Sequence, residues 1–521
     1  MNTKHLFSGN TCKPINPSHP HNLSRRQFVL SGAAAAAAFT ILPRHIPGGR
    51  EFAVPDKYQA TWESLKTHQD PKWFDDAKFG IYFHWGVYSV PAFRNEWYSR
   101  NMYRTGSREN EHHLAKWGSL DKFGYKDFIP MFKAENFDPD DWAQLFAASG
   151  AKFAGPVAEH ADGFAMWDSK LTEWNAAKMG PKRDVVGEMG KAIRKKGLKF
   201  ITTFHHQWLW AWYPTFNKNV DAGDPKYSGL YGPVVSDAAW NFKEEMNYSP
   251  AFCSHWEAKI REVIDKYNPD LIWFDSRMRE IAEENRLGFL SYYYNKAVDW
   301  KRDVAVTYKG HDLEPGTGIL DLERGRMANI TPYKWVNDDA INWDSWSYVE
   351  NANYKSADRL VDELVDIVSK NGNLLLDIDP KPDGTIPEPT RERLLQIGKW
   401  LKLNGEAIYG TRPWEIFGEG PTKVPEGGFG ESKIKDFTAA DIRFTRNGNT
   451  LYAILLDWPG ESAKIESLKE GQALWFGRIR SVEMLGIKQF LKWKQDATGL
   501  TVQIPDKKPC EYAFVLKISG Y

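Results

Sequence analysis

The sequence lacks an excess of charge of either sign. Lys and Arg together number 68, as do Asp and Glu, so the 521-residue chain has a formal net charge of +0 at pH 7. A protein that binds nucleic acid usually carries a basic surface, and this composition offers none. We therefore expect no nucleic acid among its partners.

Cysteine is also scarce. The three cysteines, Cys12, Cys253 and Cys510, are too few for a disulfide framework, and no pair has the spacing of zinc ligands. The sequence still allows a single disulfide bridge between Cys253 and Cys510. The sequence contains neither an HExxH zinc motif nor the glycine-flanked serine of a nucleophile elbow. We therefore expect no metal and no cofactor.

No apolar run is long enough to cross a membrane. The longest, residues 29–42, includes six consecutive alanines and is shorter than the roughly 20 residues that a bilayer requires. It follows Arg25 and Arg26, so residues 1–50 are typical of a twin-arginine-type signal peptide with a flexible N-terminus. This pattern predicts a periplasmic or secreted protein of bacterial type, with no membrane insertion.

The rest of the sequence falls into two regions with different patterns. Over residues 51–407, short apolar runs alternate with amphipathic helical segments, which indicates βα units and a parallel sheet. No glycine-rich nucleotide turn follows a strand, so a (β/α)8-like (TIM-type) barrel is favoured over an open doubly wound sheet. Residues 408–521 contain short β-rich segments separated by turns, which predicts a C-terminal all-β sandwich. The oligomeric state is not indicated.

Four predicted barrel strands end in polar residues. The strand over residues 79–83 precedes His84, that over 152–158 precedes Glu159 and His160, and that over 198–204 precedes His205 and His206. A fourth strand, residues 271–274, precedes Asp275. Because the carboxyl ends of barrel strands meet on one face, we expect an active site there.

Asp275 is the strongest candidate for a catalytic group, because it emerges from an entirely apolar strand. It could instead cap a helix that begins near Met278. If Asp275 serves in glycoside hydrolysis, that reaction requires a second carboxyl group, and the candidates are Glu314, Asp321 and Glu323.

A metallohydrolase is the competing interpretation of the strand-end histidines. The 23 Trp, 22 Tyr and 29 Phe suit stacking on sugar rings, although most belong to the core.

Several long segments together resemble the α-L-fucosidases of glycoside hydrolase family 29. The resemblance covers about residues 71–415 and is carried by residues 73–92, 95–98, 159–169, 182–186, 268–275, 371–376 and 404–410. It implies a barrel with a β-sandwich and exo-acting, retaining hydrolysis of terminal α-L-fucose through a covalent glycosyl-enzyme intermediate. The implied partner is a fucosylated oligosaccharide or polysaccharide, and no metal is implied.

By motif position the resemblance makes Asp275 the nucleophile. It places the sugar subsite at His84, Glu96, Trp97, His160 and Trp273, with Trp97 or Trp273 against the methyl group of fucose. The family's usual second histidine is Ala161 here, and His205 or His206 is expected to supply a replacement hydrogen-bond donor.

The acid/base varies in position within the family. We predict that Glu323 is the acid/base residue, with Glu314 as the second candidate. Two alternatives to an α-L-fucosidase stay open at this point: an α-L-galactosidase of the same fold, and a catalytically silent carbohydrate-binding protein.

Overall fold

The computed structural model describes residues 57–471 and 477–520. The predicted signal peptide, residues 1–50, lies outside these residues and stays a prediction. Within the described part of the chain, no helix is long and apolar enough to cross a membrane.

Eight parallel strands close into a barrel in sequence order. Strand β1 pairs with β2 on one side and with β8 on the other, with Ile81 opposite Ala154 and Leu376. The predicted (β/α)8-like barrel is thereby confirmed. The strands are Phe79–Phe83 (β1), Phe153–Glu159 (β2), Lys199–Phe204 (β3), Leu271–Phe274 (β4), Ala305–Lys309 (β5), Ile319–Asp321 (β6), Trp335–Ala340 (β7) and Gly372–Ile378 (β8).

Helices alternate with most of the barrel strands along the chain. In the described residues they are Trp62–Leu65 (α1), Lys72–Ala77 (α2), Tyr98–Asn101 (α3), Arg108–Trp117 (α4), Pro139–Ala148 (α5), Val185–Lys195 (α6), Ser228–Tyr231 (α7), Asp237–Trp240 (α8), Pro250–Tyr267 (α9), Glu283–Trp300 (α10), Ala357–Ser369 (α11) and Glu388–Asn404 (α12). Residues 310–318 and 322–334 connect β5 to β6 and β6 to β7 without an α-helix.

Local sequence determines where these helices begin and end. Asp138 caps α5 by accepting the backbone N–H groups of Asp140 and Asp141, at 3.0 and 3.2 Å, and Pro139 occupies the first turn. Helix α9 stops at Asn268, whose backbone is left-handed (φ 49°), directly before Pro269.

Strands β6 and β7 were not identified from the sequence. Strand β6 has only three residues, and β7 carries Asn337, Asp338 and Asp339 at its centre. Those polar side chains are buried because they have partners inside the protein. Asp339, for example, lies 2.7 Å from the buried Lys355 ammonium.

The C-terminal domain consists of two antiparallel sheets that share one core, which confirms the predicted all-β sandwich. One sheet has the order β13-β16-β11-β10-β9 and the other β12-β15-β14. Its strands are Arg412–Glu419 (β9), Ile442–Asn447 (β10), Thr450–Leu455 (β11), Ser462–Ile465 (β12), Ile479–Met484 (β13), Trp493–Asp496 (β14), Gly499–Gln503 (β15) and Phe514–Gly520 (β16). Cys253 and Cys510 are free cysteines, so the bridge left open by the sequence is not formed.

A buried ion cluster joins this domain to the barrel. The Asp366 carboxylate of α11 lies 2.7 Å from Arg443 Nε in β10 and 2.8 Å from Lys370 Nζ. Burial raises the pKa of Asp366, but Lys370 and Arg443 lower it by more, to about 2. The ionised carboxylate therefore stabilises the contact between the two domains.

We expect Asp366→Asn to lower the free energy of unfolding by about 3–5 kcal/mol, because it leaves two buried cations without their anion. In the unmutated protein this stabilisation is fully present above the ordinary Asp pKa of 3.8 and is lost as pH falls towards about 2. Denaturant unfolding at pH 7 and pH 3 measures both effects. An Asp366→Asn protein as stable as the unmutated one at pH 7 would contradict this role of the cluster.

Candidate active site

Five polar side chains meet where barrel strands end. His84, His160, His205 and Asp275 each directly follow their strand (β1 to β4), and Lys309 is the last residue of β5. The first four were predicted from their strand-end positions, and the barrel does bring those strand ends to one face.

Three buried histidines form a compact cluster, which we call the histidine cluster: His84, His160 and His205. Their nearest ring nitrogens all lie within 4.8 Å of one another, and His84 Nε2 is 3.3 Å from His205 Nε2. Burial lowers the pKa of all three, that of His160 to about 3, so the imidazoles are neutral near pH 7. Neutral imidazoles can both donate and accept hydrogen bonds, as sugar hydroxyl groups do.

Asp377 at the end of β8 fixes the orientation of His84. Its Oδ1 accepts the backbone N–H of His84 at 3.0 Å and lies 2.8 Å from His84 Nδ1. With the proton on Nδ1, the Nε2 lone pair faces the other two histidines. The Nδ1 atoms of His160 and His205 have no hydrogen-bond partner within the protein.

Of the two residues expected to replace the missing second histidine, only His205 lies in the histidine cluster. Its ring centroid lies 4.6 Å from that of His160, whereas His206 stacks on Trp256 and contacts a backbone carbonyl at 3.2 Å. Ala161 is buried. Three imidazoles in this arrangement could also hold a divalent cation, since zinc sites commonly use three histidines.

Asp275 lies beside the histidine cluster with its side chain 19 % exposed. Its Oδ1 accepts the backbone N–H of Ser276 at 2.7 Å and lies 3.3 Å from Lys309 Nζ. Arg277, not Asp275, occupies the N-cap position of the helical turn Met278–Glu280, and that turn has no side-chain cap. The alternative prediction that Asp275 caps this turn was therefore wrong.

Lys309 is the electrostatic centre of the site. Its ammonium group contacts four carboxylates: Glu323 at 2.6 Å, Asp338 at 3.2 Å, Asp275 at 3.3 Å and Asp321 at 3.8 Å. Burial lowers the pKa of Lys309, but these four acids raise it well above its ordinary value. The lysine is therefore a permanent cation that joins the two candidate catalytic carboxylates.

The three candidate partners of Asp275 occupy different places. Burial raises the pKa of Glu323, which faces Lys309. Asp321 accepts the indole N–H of Trp273 at 3.0 Å and so fixes that ring. Glu314 pairs with Lys66 at 3.3 Å, and its side chain is 51 % exposed. Of the three, Glu323 and Asp321 share Lys309 with Asp275, and only Glu323 is partly open to solvent there.

Glu96 and Trp97 border the histidine cluster. Burial raises the pKa of Glu96 to about 7, and its carboxylate accepts the backbone N–H of Trp346 at 3.3 Å. The Trp346 ring lies 5.7 Å from His84. Trp97 packs 4.7 Å from Trp212, which itself contacts His160. The structure thus brings together every predicted subsite residue.

Sequence reasoning missed Lys309, Trp346 and Asp377. The strand-end pattern could have found Lys309 and Asp377, because each lies at or near the end of an apolar strand. Trp346 lies in the loop after β7, which the sequence pattern does not identify as a strand, so no comparable signal points to it.

Comparison with known proteins agrees with this architecture. Residues 50–406 match the family described as alpha-L-fucosidase, and residues 435–519 match the alpha-L-fucosidase C-terminal domain. The chain is 31% identical to the tissue alpha-L-fucosidase of Bos taurus over 483 residues, which cover 89% of this chain and 92% of that protein. It is 32% identical to the plasma alpha-L-fucosidase of Homo sapiens, over 89% of this chain and 93% of that one.

A solved structure is similar over almost the same range. The Thermotoga maritima alpha-fucosidase, crystallised in complex with fucose, has a TM-score of 0.71 and 32% sequence identity, covering 89% of this chain and all of that one. From these matches and from the barrel that carries the site, the chain belongs to the α-L-fucosidase family of glycoside hydrolases.

Proposed function

We propose that the protein is an exo-acting, retaining α-L-fucosidase in which Asp275 is the nucleophile and Glu323 the acid/base. Its family membership supports hydrolysis that releases fucose from a fucosylated glycan. One observation carries the assignment of residues: a single buried ammonium group, that of Lys309, contacts both carboxylates.

This shared contact limits how far apart the two carboxylates can be. With Lys309 Nζ 3.3 Å from Asp275 Oδ1 and 2.6 Å from Glu323 Oε2, those two oxygens are separated by at most about 6 Å. Inverting glycosidases hold their carboxyl groups roughly 6.5–9.5 Å apart to admit a water, and retaining enzymes about 5–5.5 Å apart. The geometry therefore favours retention.

In the first step, Asp275 attacks the anomeric carbon of fucose while Glu323 donates its proton to the glycosidic oxygen. The carbon–oxygen bond to the leaving group breaks, and a fucosyl ester of Asp275 forms. In the second step, Glu323 removes a proton from water, the water oxygen attacks the same carbon, and Asp275 leaves as a carboxylate. Two inversions leave the anomeric configuration unchanged.

The histidine cluster suits the floor of the sugar subsite. Three buried, neutral imidazoles, of which His160 and His205 each have an unpartnered nitrogen, can hydrogen-bond adjacent hydroxyl groups of one ring. Glu96 adds a further polar group. Trp273 and Trp97 offer apolar faces for the methyl group. A buried floor of this kind accepts the end of a glycan chain, which supports exo action.

We expect Asp275→Ala to lower kcat by several orders of magnitude on nitrophenyl α-L-fucoside, because no covalent intermediate can form. Azide added to this variant should occupy the vacated side of the sugar and yield the inverted β-L-fucosyl azide. Glu314→Ala, which changes the exposed glutamate paired with Lys66, is the control and should keep near-normal turnover. Normal turnover by Asp275→Ala would contradict the proposed mechanism.

Glu323→Ala should lose activity on natural glycans and regain it with azide on an activated fucoside, giving the retained α-L-fucosyl azide. Glu323 must be protonated to donate, and burial raises its pKa. In the unmutated enzyme, kcat/KM should therefore fall as pH rises through that raised pKa, and this alkaline limb should be absent in Glu323→Ala. If azide instead rescued Glu314→Ala, the acid/base role would move to Glu314.

Metal removal distinguishes the competing use of the histidine cluster. If the three imidazoles bind sugar hydroxyls, dialysis against EDTA should leave kcat and KM on nitrophenyl fucoside unchanged. A loss of activity that added zinc restores would show instead that a metal ion is required.

A further inference from the structure

The loop that carries Glu323 is bound along its length by a segment of the C-terminal domain. This segment, residues 427–431, lies in the connection between β9 and β10 and is called the C-terminal clamp below. The loop itself, residues 322–327, directly follows β6.

Backbone hydrogen bonds join the two segments at several successive residues. The Phe429 N–H donates to the Glu323 carbonyl at 2.9 Å, and the Gly430 N–H donates to the Arg324 carbonyl at 2.9 Å. Arg326 and Gly427 exchange two further bonds, at 3.2 and 3.0 Å. The main chain of Glu323 is thus held by a residue about a hundred positions later in the sequence.

Side chains reinforce this contact on both sides. Arg324 Nη1 lies 3.3 Å from Glu431 Oε1, and both side chains are about nine-tenths buried. Arg359 of α11 donates to the carbonyl of Glu431 at 2.8 Å, which fastens the clamp to the barrel. Arg324 adopts a left-handed backbone (φ 43°), which a residue other than glycine keeps only where its surroundings impose it.

Two glycines permit the close approach of the main chains. A Cβ added at Gly325 would lie 2.4 Å from the Gly427 carbonyl oxygen, so that position has no room for a side chain. A Cβ at Gly428 would lie 3.1 Å from the Glu323 carbonyl oxygen, which is tight enough to displace the loop by a few tenths of an ångström.

We propose that the C-terminal clamp positions Glu323 for proton transfer, so that the C-terminal domain completes the active site. Glu431 acts through Arg324 and does not touch the sugar, so it is a positioning residue. The inference rests on the proposed acid/base role of Glu323. It gives this domain a part in catalysis beyond its packing against the barrel.

The test compares Glu431→Ala with the unmutated enzyme on fucosides whose leaving groups differ in pKa. A dinitrophenyl leaving group departs without a proton, whereas a sugar leaving group requires one. We expect kcat/KM for a fucosylated disaccharide to fall roughly tenfold to hundredfold, as a small misplacement of a catalytic group does. For dinitrophenyl fucoside, kcat/KM should stay within about threefold, because kcat/KM reports the first step, which needs no proton with this leaving group. The comparison uses kcat/KM since kcat also includes the second step, in which Glu323 acts as the base.

Gly428→Ala is a second variant, in which the added methyl group displaces the loop without removing a charge. Its kcat/KM should depend on the leaving group in the same way. Glu406→Ala is the matched control. It removes another ion pair between the barrel and the sandwich, Glu406 with Lys517 at 3.0 Å, away from the loop. Its effect should be equal for both substrates. Thermal unfolding of each variant verifies that it is folded.

The outcomes separate this inference from the function on which it rests. In a Glu323→Ala background, adding Glu431→Ala should have no further effect on either substrate. Suppose that Glu323→Ala behaves as an acid/base variant. If Glu431→Ala then lowers kcat/KM equally for both substrates, or lowers it for neither, the C-terminal clamp has no positioning role. If Glu323→Ala itself shows no dependence on the leaving group and no azide rescue, the proposed function fails instead.

Discussion

The catalytic end of the barrel depends on one buried ammonium group surrounded by acids. Lys309 contacts four carboxylates from three parts of the barrel: Asp275 after β4, Asp321 and Glu323 at and just after the end of β6, and Asp338 in β7. Each of these carboxylates alone would be costly to bury, and so would the lysine. Together they neutralise much of one another's charge, and the arrangement fixes the positions of the strand ends and of the two groups assigned to catalysis.

Several other features follow from this centre. Asp321 holds the Trp273 indole at 3.0 Å, and Asp338 lies 3.3 Å from the Tyr82 hydroxyl, so aromatic rings in the barrel interior are oriented by the same acids. The histidine cluster adjoins it, with His205 5.1 Å from Trp273. The proposed sugar subsite and the two candidate catalytic carboxylates therefore lie in one continuous polar layer at the ends of the strands.

The sequence predicted the parts of this site that have a local signature. Apolar strands followed by His84, His160, His205 and Asp275 are visible without a structure, and so is the change from α/β to all-β patterning near residue 408. Strand β7 could not be found in this way, because its central Asn and Asp residues mimic a loop until their buried partners are known. Lys309 was overlooked although it ends β5, since a single lysine at the end of a strand is usually exposed.

The C-terminal clamp could not be predicted for a different reason. Nothing in the local sequence near residue 428 indicates that its backbone meets that of Glu323, because such contacts are set by tertiary packing. The resemblance favours Glu323 over Glu314, and the fold supplies a physical reason for that prediction: Glu314 lies beside Lys66, and Glu323 beside Lys309.

The central claim is that Asp275 and Glu323 are close enough, across Lys309, for a double-displacement reaction. The stereochemistry of hydrolysis tests this most directly. Proton NMR recorded during the first minutes of nitrophenyl α-L-fucoside hydrolysis, before mutarotation, identifies the anomer that is released. A double displacement releases α-L-fucose first, and initial release of β-L-fucose would contradict it.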